Sequence, residues 1–204
     1  MASKIIVDQL QKSGYTALTL PSANGTANQY IKNDGAGALS WATLPAGGKV
    51  LHIEQVVKTD TTSTTAVGAS VVDMPGMTVT MPASVATSRY LIFWNLSLGG
   101  VANDSFYLVL VREVSGVEVQ PLLGDTAGSR IRTSLSATPA YGAGTGVSAL
   151  QYLDSPATTN AVTYKIKWSN QYAGTHYLNR STTDSDSGLY QRSTSSITVM
   201  EIGV

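Results

Sequence analysis

The run from Thr19-Leu20-Pro21-Ser22-Ala23-Asn24-Gly25 to Asn28-Gln29-Tyr30-Ile31-Lys32-Asn33-Asp34-Gly35-Ala36-Gly37-Ala38-Leu39-Ser40-Trp41 constrains the fold most. It strings extended pieces between Gly and Asn turns and supplies few large apolar side chains. Across residues 1–46, three short pieces each place a pair of apolar residues on one face at period two: Ile5 and Val7, Leu18 and Leu20, Leu39 and Trp41. Ordering a backbone costs roughly 1–2 kcal/mol per residue. So few apolar groups do not offset that cost, so the segment needs surface from other chains or stays disordered.

Pro45-Ala46-Gly47-Gly48 reads as a hinge, because proline fixes one backbone angle and the glycines free the next. The boundary divides the 204 residues into a segment of 1–46 and a domain of 47–204 that is long enough to bury a substantial core. Ser and Thr make up about a quarter of the chain and, with many Val, favour pleated strands, so the expected class is all-β. Thirteen basic residues balance thirteen acidic ones, and this neutrality argues against nucleic-acid binding and against attraction to an anionic membrane. Cysteine is absent, which removes disulfides, thiol catalysis and thiolate metal sites. The apolar run Ile5-Ile6-Val7 is too short for a signal-peptide core or a membrane insertion.

Beyond the hinge, strand-like runs alternate with turn clusters at sandwich spacing. Val50 to Val57 is the first, followed by a solvated loop from Thr59 to Thr65. Met77 to Met81 alternates between Pro75-Gly76 and Pro82, and Tyr90 to Leu98 is apolar on both faces at its start, which predicts a central strand covered on both sides. Phe106 to Val114 and Val117 to Leu123 flank Ser115-Gly116, a two-residue hairpin signal. Val162, Tyr164, Ile166 and Trp168 alternate with Thr163, Lys165 and Lys167, and Ser196 to Ile202 is the final strand. The predicted core holds Ile92, Trp94, Leu96, Leu108, Leu110, Val162, Ile166 and Trp168.

The Thr19–Trp41 run resembles the N-terminal region of bacteriophage tail-fibre and other virion-surface proteins, where such a pattern precedes a β-rich knob. Further along, Met74-Pro75-Gly76-Met77-Thr78-Val79-Thr80-Met81-Pro82, Leu123-Gly124-Asp125, Tyr152-Leu153-Asp154-Ser155-Pro156, Tyr177-Leu178-Asn179-Arg180-Ser181 and Ser195 to Ile202 are similar to phage fibre domains. The resemblance implies a jelly-roll-like antiparallel β-sandwich knob behind a short extended attachment module, a homotrimer and a place on the virion surface after synthesis in the bacterial cytoplasm. Its partners would be other virion proteins of the tail, baseplate or capsid. Attachment and trimerisation then fall to Ile5, Val7, Leu18, Leu20, Tyr30, Leu39 and Trp41, since a threefold axis lets three marginal segments bury their apolar groups against each other.

On this reading the protein is a short trimeric fibre whose knob binds the host surface; a head decoration protein that stabilises the capsid is the alternative. A glycan-degrading spike is the third reading, and no nucleophile elbow, metalloprotease helix or β-helix repeat supports it, so no enzyme activity and no cofactor are expected. Tyr141, Tyr152, Tyr172, Tyr177 and Tyr190 lie near Gly-, Asn- and Ser-rich turns and are candidate contacts for host glycan, because tyrosine offers a sugar both an apolar face and a hydroxyl. Packing in the sandwich or between subunits is their alternative role. Asp184-Ser185-Asp186-Ser187-Gly188 departs from the helix-loop-helix calcium motif in its glycine and its missing Glu, and reads as a solvated loop. His52 and His176 stand in separate strand-like contexts, with no metal pair expected.

Overall fold

A computed structural model describes residues 8–44, 48–139 and 142–204. All regular structure among them is β, and the strands pair antiparallel throughout. The chain separates into two compact units, Met1–Ala46 and Gly47–Val204.

The first unit holds two small hairpins. Strand β1 (Gln9–Leu10) pairs with β2 (Leu18–Thr19), and β3 (Gln29–Asn33) pairs with β4 (Leu39–Thr43). The loop between β3 and β4 is built by its carboxylate: Asp34 Oδ1 accepts from the backbone N–H of Ala36 at 2.8 Å and of Ala38 at 3.0 Å. These bonds stabilise the charged form, so the Asp34 carboxyl lies below its ordinary value. Gly35 (φ 86°) and Gly37 (φ 103°) take the left-handed angles that the reversal requires. The indole of Trp41 donates to Ala23 O at 2.7 Å and lies so close over Gly25 that a Cβ there would sit 2.6 Å from the ring. Strand β3 is an addition to the three extended pieces expected from the sequence. Ile5, Val7 and the Pro45-Ala46-Gly47 part of the expected hinge lie outside the described residues.

The second unit contains β5 (Lys49–Lys58), β6 (Thr62–Thr64), β7 (Val72–Met81), β8 (Arg89–Gly99), β9 (Phe106–Val114), β10 (Val117–Val119), β11 (Leu135–Ala137), β12 (Gly146–Asp154), β13 (Val162–Asn170), β14 (His176–Leu178) and β15 (Ser195–Gly203). Its pairing is nested. On the way out the chain lays down β5, β6, β7, β8 and β9; on the return, β10 and β11 pair with β9, β12 with β8, β13 with β7, β14 with β6 and β15 with β5. Three further pairings, β15 with β8, β14 with β8 and β13 with β9, join these into two sheets. One sheet runs β5-β15-β8-β12, with β14 and β6 continuing it beside the end of β8; the other runs β10-β9-β13-β7, with β11 also on β9.

The inner faces of the two sheets share one core, the arrangement of a β-sandwich. Met77, Val79, Met81, Phe106, Leu108, Leu110, Val162, Tyr164, Ile166 and Trp168 from one sheet meet Tyr90, Ile92, Trp94, Leu96, Leu98, Ile197 and Val199 from the other. All eight residues expected in the core are buried. A polar link also crosses the interior: Arg112 on β9 donates to both oxygens of Asp154 on β12 at 2.8 Å, and Tyr164 OH on β13 donates to Asp154 Oδ2 at 2.8 Å. Burial first, and the Asp154 charge second, raise the Tyr164 hydroxyl far above its ordinary value, so it stays a donor.

Several local expectations change. The Thr59–Thr65 loop contains β6, because Thr62 to Thr64 meet β14 from the far end of the chain. Strand β7 runs through Pro75-Gly76 instead of starting after it; the register with β13 shifts there, and Gly76 at φ 77° absorbs the irregularity. Strand β12, unanticipated in the sequence, pairs with β8 along its whole length. Ser115 (φ 51°) and Gly116 (φ 81°) form the expected hairpin turn, with both central residues left-handed. Strand β10, however, ends at Val119. Finally, β8 is central but not covered on both sides: Leu91 and Phe93 on its outer face are only half-buried and Asn95 is exposed.

Trp94 is 2% exposed and its indole N–H has no hydrogen-bond partner. Trp94→Ala should therefore destabilise the second unit by about 3–5 kcal/mol, while Trp94→Phe, which gives up no hydrogen bond, should cost about 1 kcal/mol. Equilibrium unfolding in urea of the two variants checks the difference.

Candidate functional site

The sequence-derived attachment residues fall in a unit without an interior. Among the described residues of the first unit only Gly37 is buried; Leu18, Leu20, Leu39 and Trp41 are half-buried, and Tyr30 is 40% exposed. Leu10, Tyr15, Ile31 and Leu44 are exposed as well. The alternation expected of Leu39 and Trp41 is present in β4, and Ile31, directly opposite Trp41 in the pairing, extends the same apolar edge.

Antiparallel pairing gives the second unit two distinct ends. Gly48 enters at one of them, its N–H bonded to Gly203 O at 2.6 Å, and the starts of β8 and β13 lie at this end with the last residues of β12 and β15. At the opposite end, β8 finishes at Gly99 beside Tyr177, and β12 begins at Gly146 opposite Leu98. Tyr177, in β14, lies there, and the loops that carry Tyr172 and the 184–192 segment emerge beside it. Tyr172 is exposed, its N–H bonded to Asp104 Oδ1 at 3.1 Å, and its hydroxyl accepts from Gln171 Nε2 at 3.1 Å.

Tyr177 lies under the guanidinium of Arg180, 4.2 Å from ring centroid to Cζ. Arg180 Nη1 holds one oxygen of Asp184 at 3.0 Å, and Arg192 Nη2 holds the other. The aspartate noted for its partial resemblance to a calcium loop thus spends both oxygens on arginines. The consequence is a recess of about 270 Å³ lined by Asp184, Asp186, Tyr190, Gln191 and Arg192, in which carboxylate, amide, guanidinium and phenol groups converge. Such a set of donors and acceptors beside an aromatic face suits hydroxyl-rich ligands. Among the described residues, no three His, Cys, Asp or Glu side chains gather as a metal-binding group.

Of the five tyrosines, the structure brings Tyr177 and Tyr190 to one charged cluster and Tyr172 to the same end. Tyr141 lies outside the described residues. Tyr152 goes elsewhere: it sits opposite Ile92, packs against the core and donates to Pro121 O at 3.0 Å, and burial raises its hydroxyl above the ordinary value. It is a packing residue. Arg180 and Arg192 were missed from the sequence, and their signal was the bracketing of an Asp-Ser repeat by two arginines.

Both histidines have a carboxylate neighbour. His52 Nε2 meets Glu54 Oε1 at 2.8 Å, both partly exposed on the face of β5 that also carries Val56. His176 is completely buried, edge-on to Phe106, with Nε2 3.4 Å from Asp104 Oδ2 but not aligned for a hydrogen bond, so both ring nitrogens lack partners. Desolvation outweighs the attraction of Asp104 and lowers the His176 pKa. Gly100 makes the room, since a Cβ there would collide with the imidazole.

No protein-family model matches this chain, and no curated protein matches it. No helix is long and apolar enough to cross a membrane among the described residues.

The buried imidazole sets a pH dependence with a definite sign. His176 is harder to protonate when folded than when unfolded, so below its ordinary pKa of 6.5 the unfolded state binds the extra proton. Stability should fall as pH drops from 6.5 towards 5, with a slope of up to about 1.4 kcal/mol per pH unit from this group. His176→Gln should flatten that slope in urea melts across the window, whatever its effect on stability at pH 8.

Proposed function

We propose that this protein is a structural and binding protein of a bacteriophage particle: a short homotrimeric fibre whose residues 1–46 attach to the virion and whose second unit is an outward-facing knob that engages the host surface. The reading begins from the resemblance of Thr19–Trp41 and of the knob motifs to phage fibres. The observation that carries it is the division of ends within the second unit. The chain enters at Gly48 beside Gly203, while Tyr172, Tyr177 and the Asp184–Arg192 recess emerge at the other end. A tethered receptor-binding knob needs that arrangement, with the tether at one end and the contacts at the other.

Two further observations support it. The first unit presents Leu10, Tyr15, Tyr30, Ile31 and Leu44 to its surroundings without a core of its own, as an attachment or trimerisation element would. The nested order of the second unit supports a jelly-roll reading, since rolling a long antiparallel hairpin into two sheets places first beside last and produces two Greek keys. Host recognition by such a knob works through avidity, since many weak contacts on one particle engage a repetitive cell surface together.

Cryo-electron microscopy of the intact particle tests the assignment. Density at the tail or baseplate, with the Asp184–Arg192 end pointing away from the particle, is the expected result. Density spread over the capsid lattice would replace host attachment with shell decoration, and absence from purified particles would sink both. Deleting residues 1–46 should leave a folded second unit that no longer joins particles, measured by circular dichroism and by co-sedimentation with virions.

A further inference from the structure

The two outer faces of the sandwich differ in kind. On the β9-β13-β7 sheet the outer face is ionic: Lys165 Nζ meets Glu113 Oε2 at 2.8 Å and also pairs with Glu118, and Lys167 Nζ meets Glu118 Oε2 at 2.6 Å and Asp73 Oδ1 at 3.5 Å. Their carboxylate neighbours raise the pKa of both lysines, and with Thr78, Thr80 and Thr163 they make this face polar, with Val109 and Val111 of β9 buried among them.

The outer face of the β5-β15-β8-β12 sheet has the opposite character. Cross-strand register places its side chains in rows: Val57–Ser196–Asn95–Ala149, then Gln55–Thr198–Phe93–Gln151, then Ile53–Met200–Leu91–Leu153, then Val50–Ile202–Arg89. The third row is apolar across four strands, and its edge members Ile53 and Leu153 are 51% and 46% exposed. Arg89 is the one charged side chain in these rows. Hollows of about 410 and 530 Å³, which share Gln151, indent the face, the first beside Phe93 and the second beside Leu91 and Leu153. A nearly uncharged face crossed by a contiguous apolar band of this kind marks an interaction site.

We infer that this face is the interface between copies of the chain, packed around a threefold axis. With Arg89 as its one charged side chain, at the end of the face, it meets its own copy with little like-charge repulsion, and the chain's balance of thirteen basic and thirteen acidic residues sets up no net repulsion between copies. The size is suitable: the rows measure roughly 20 by 25 Å, about 500 Å² a side, so three copies around one axis bring together about 1,500 Å² in all, on the scale of a specific assembly. The same assembly would cover the coreless first unit, and this step, with the choice of three copies, rests on the fibre reading above; the character of the face does not. The expected central cover of β8 on both sides is then supplied by its neighbours.

The test uses the full chain. Wild-type protein should sediment at three times the 21.4 kDa chain mass. Ile53→Lys combined with Leu153→Lys, both at exposed edge positions, should reduce it to the mass of one chain with an unchanged far-ultraviolet circular dichroism spectrum. A folded double variant that remains trimeric overturns the inference and leaves the fibre reading intact, with residues 1–46 holding the trimer. A wild-type chain at the mass of one copy overturns it too, as it would if residues 8–44 of the same chain covered the face; particle imaging then decides separately whether the protein is virion-borne.

Because the chain has no cysteine, a single introduced thiol provides a second readout that does not depend on the fold tolerating charge. Thr198→Cys, at the centre of the face, should give covalent dimers with a short bis-maleimide, and Thr80→Cys, on the ionic face, should give none. Equal cross-linking from both positions, or none from Thr198→Cys, overturns the inference.

Discussion

The pairing of β5 with β15 is the closure on which the second unit depends. Until Ser195–Gly203 arrives, β5 has no partner, β8 lacks the neighbour that joins it to β5, and Val56 has no Ile197 beside it at the edge of the core. Each inner pair of the nest repeats the constraint at shorter sequence separation, down to the two-residue turn between β9 and β10. Native contacts in such a topology are mostly distant in sequence, so the loop-closure entropy is met before the apolar contacts offset it, and folding is slow compared with a helical protein of this size. The tight Ser115-Gly116 turn is the natural place for pairing to start, and the last strand completes it.

Polar groups fix how the nested pieces meet. Asn179, left-handed at φ 65°, donates from Nδ2 to the carbonyls of Lys58 and Asp60 at 2.8 and 2.9 Å, while its Oδ1 accepts from Ser195 Oγ at 2.6 Å. One buried amide thereby joins the end of β5, the end of β14 and the start of β15. Glu201 does similar work at the other end, accepting from the hydroxyls of Ser84 and Ser88. Apolar burial supplies the driving force but is indifferent to register; these directional bonds, with the Arg112–Asp154–Tyr164 link between the sheets, select one register among the slipped alternatives.

Local pattern made the class legible, and the alternation at Val162–Trp168 and the turn at Ser115-Gly116 were legible in detail, because both depend on neighbours in sequence. What depends on distant partners was not. Nothing in Thr62-Ser63-Thr64 predicts a strand until His176–Leu178 is placed beside it. The Pro75-Gly76 pair looks like a terminator until the register shift against β13 shows how it is absorbed. Strand β12 escaped notice because both its faces mix apolar and polar residues, with Ser148 buried and Val147 exposed. In the candidate site, the tyrosines could be nominated by type but not sorted by end. Tyr152 and Tyr177 look alike in sequence, and only the antiparallel register sends the first towards the core beside Ile92 and the second to the loop-bearing end beside Gly99.

The half-correct reading of β8 carries the most information. Leu91 and Phe93 are residues a sequence places inside, and a single chain leaves them half-covered, beside exposed Ile53 and Leu153. In a monomer that conflict between pattern and burial carries a cost in solubility; in the proposed assembly a second chain would cover the outer side of the strand. The division of surfaces follows. In the proposed assembly the ionic face would stay in water, the opposite face would be used for association, and the Arg180–Asp184–Arg192 end, held in shape by its own ion pairs, would be left to meet a partner. A threefold axis running along the strands would point the loop-bearing ends of the proposed assembly the same way, the geometry that turns weak individual contacts into avidity.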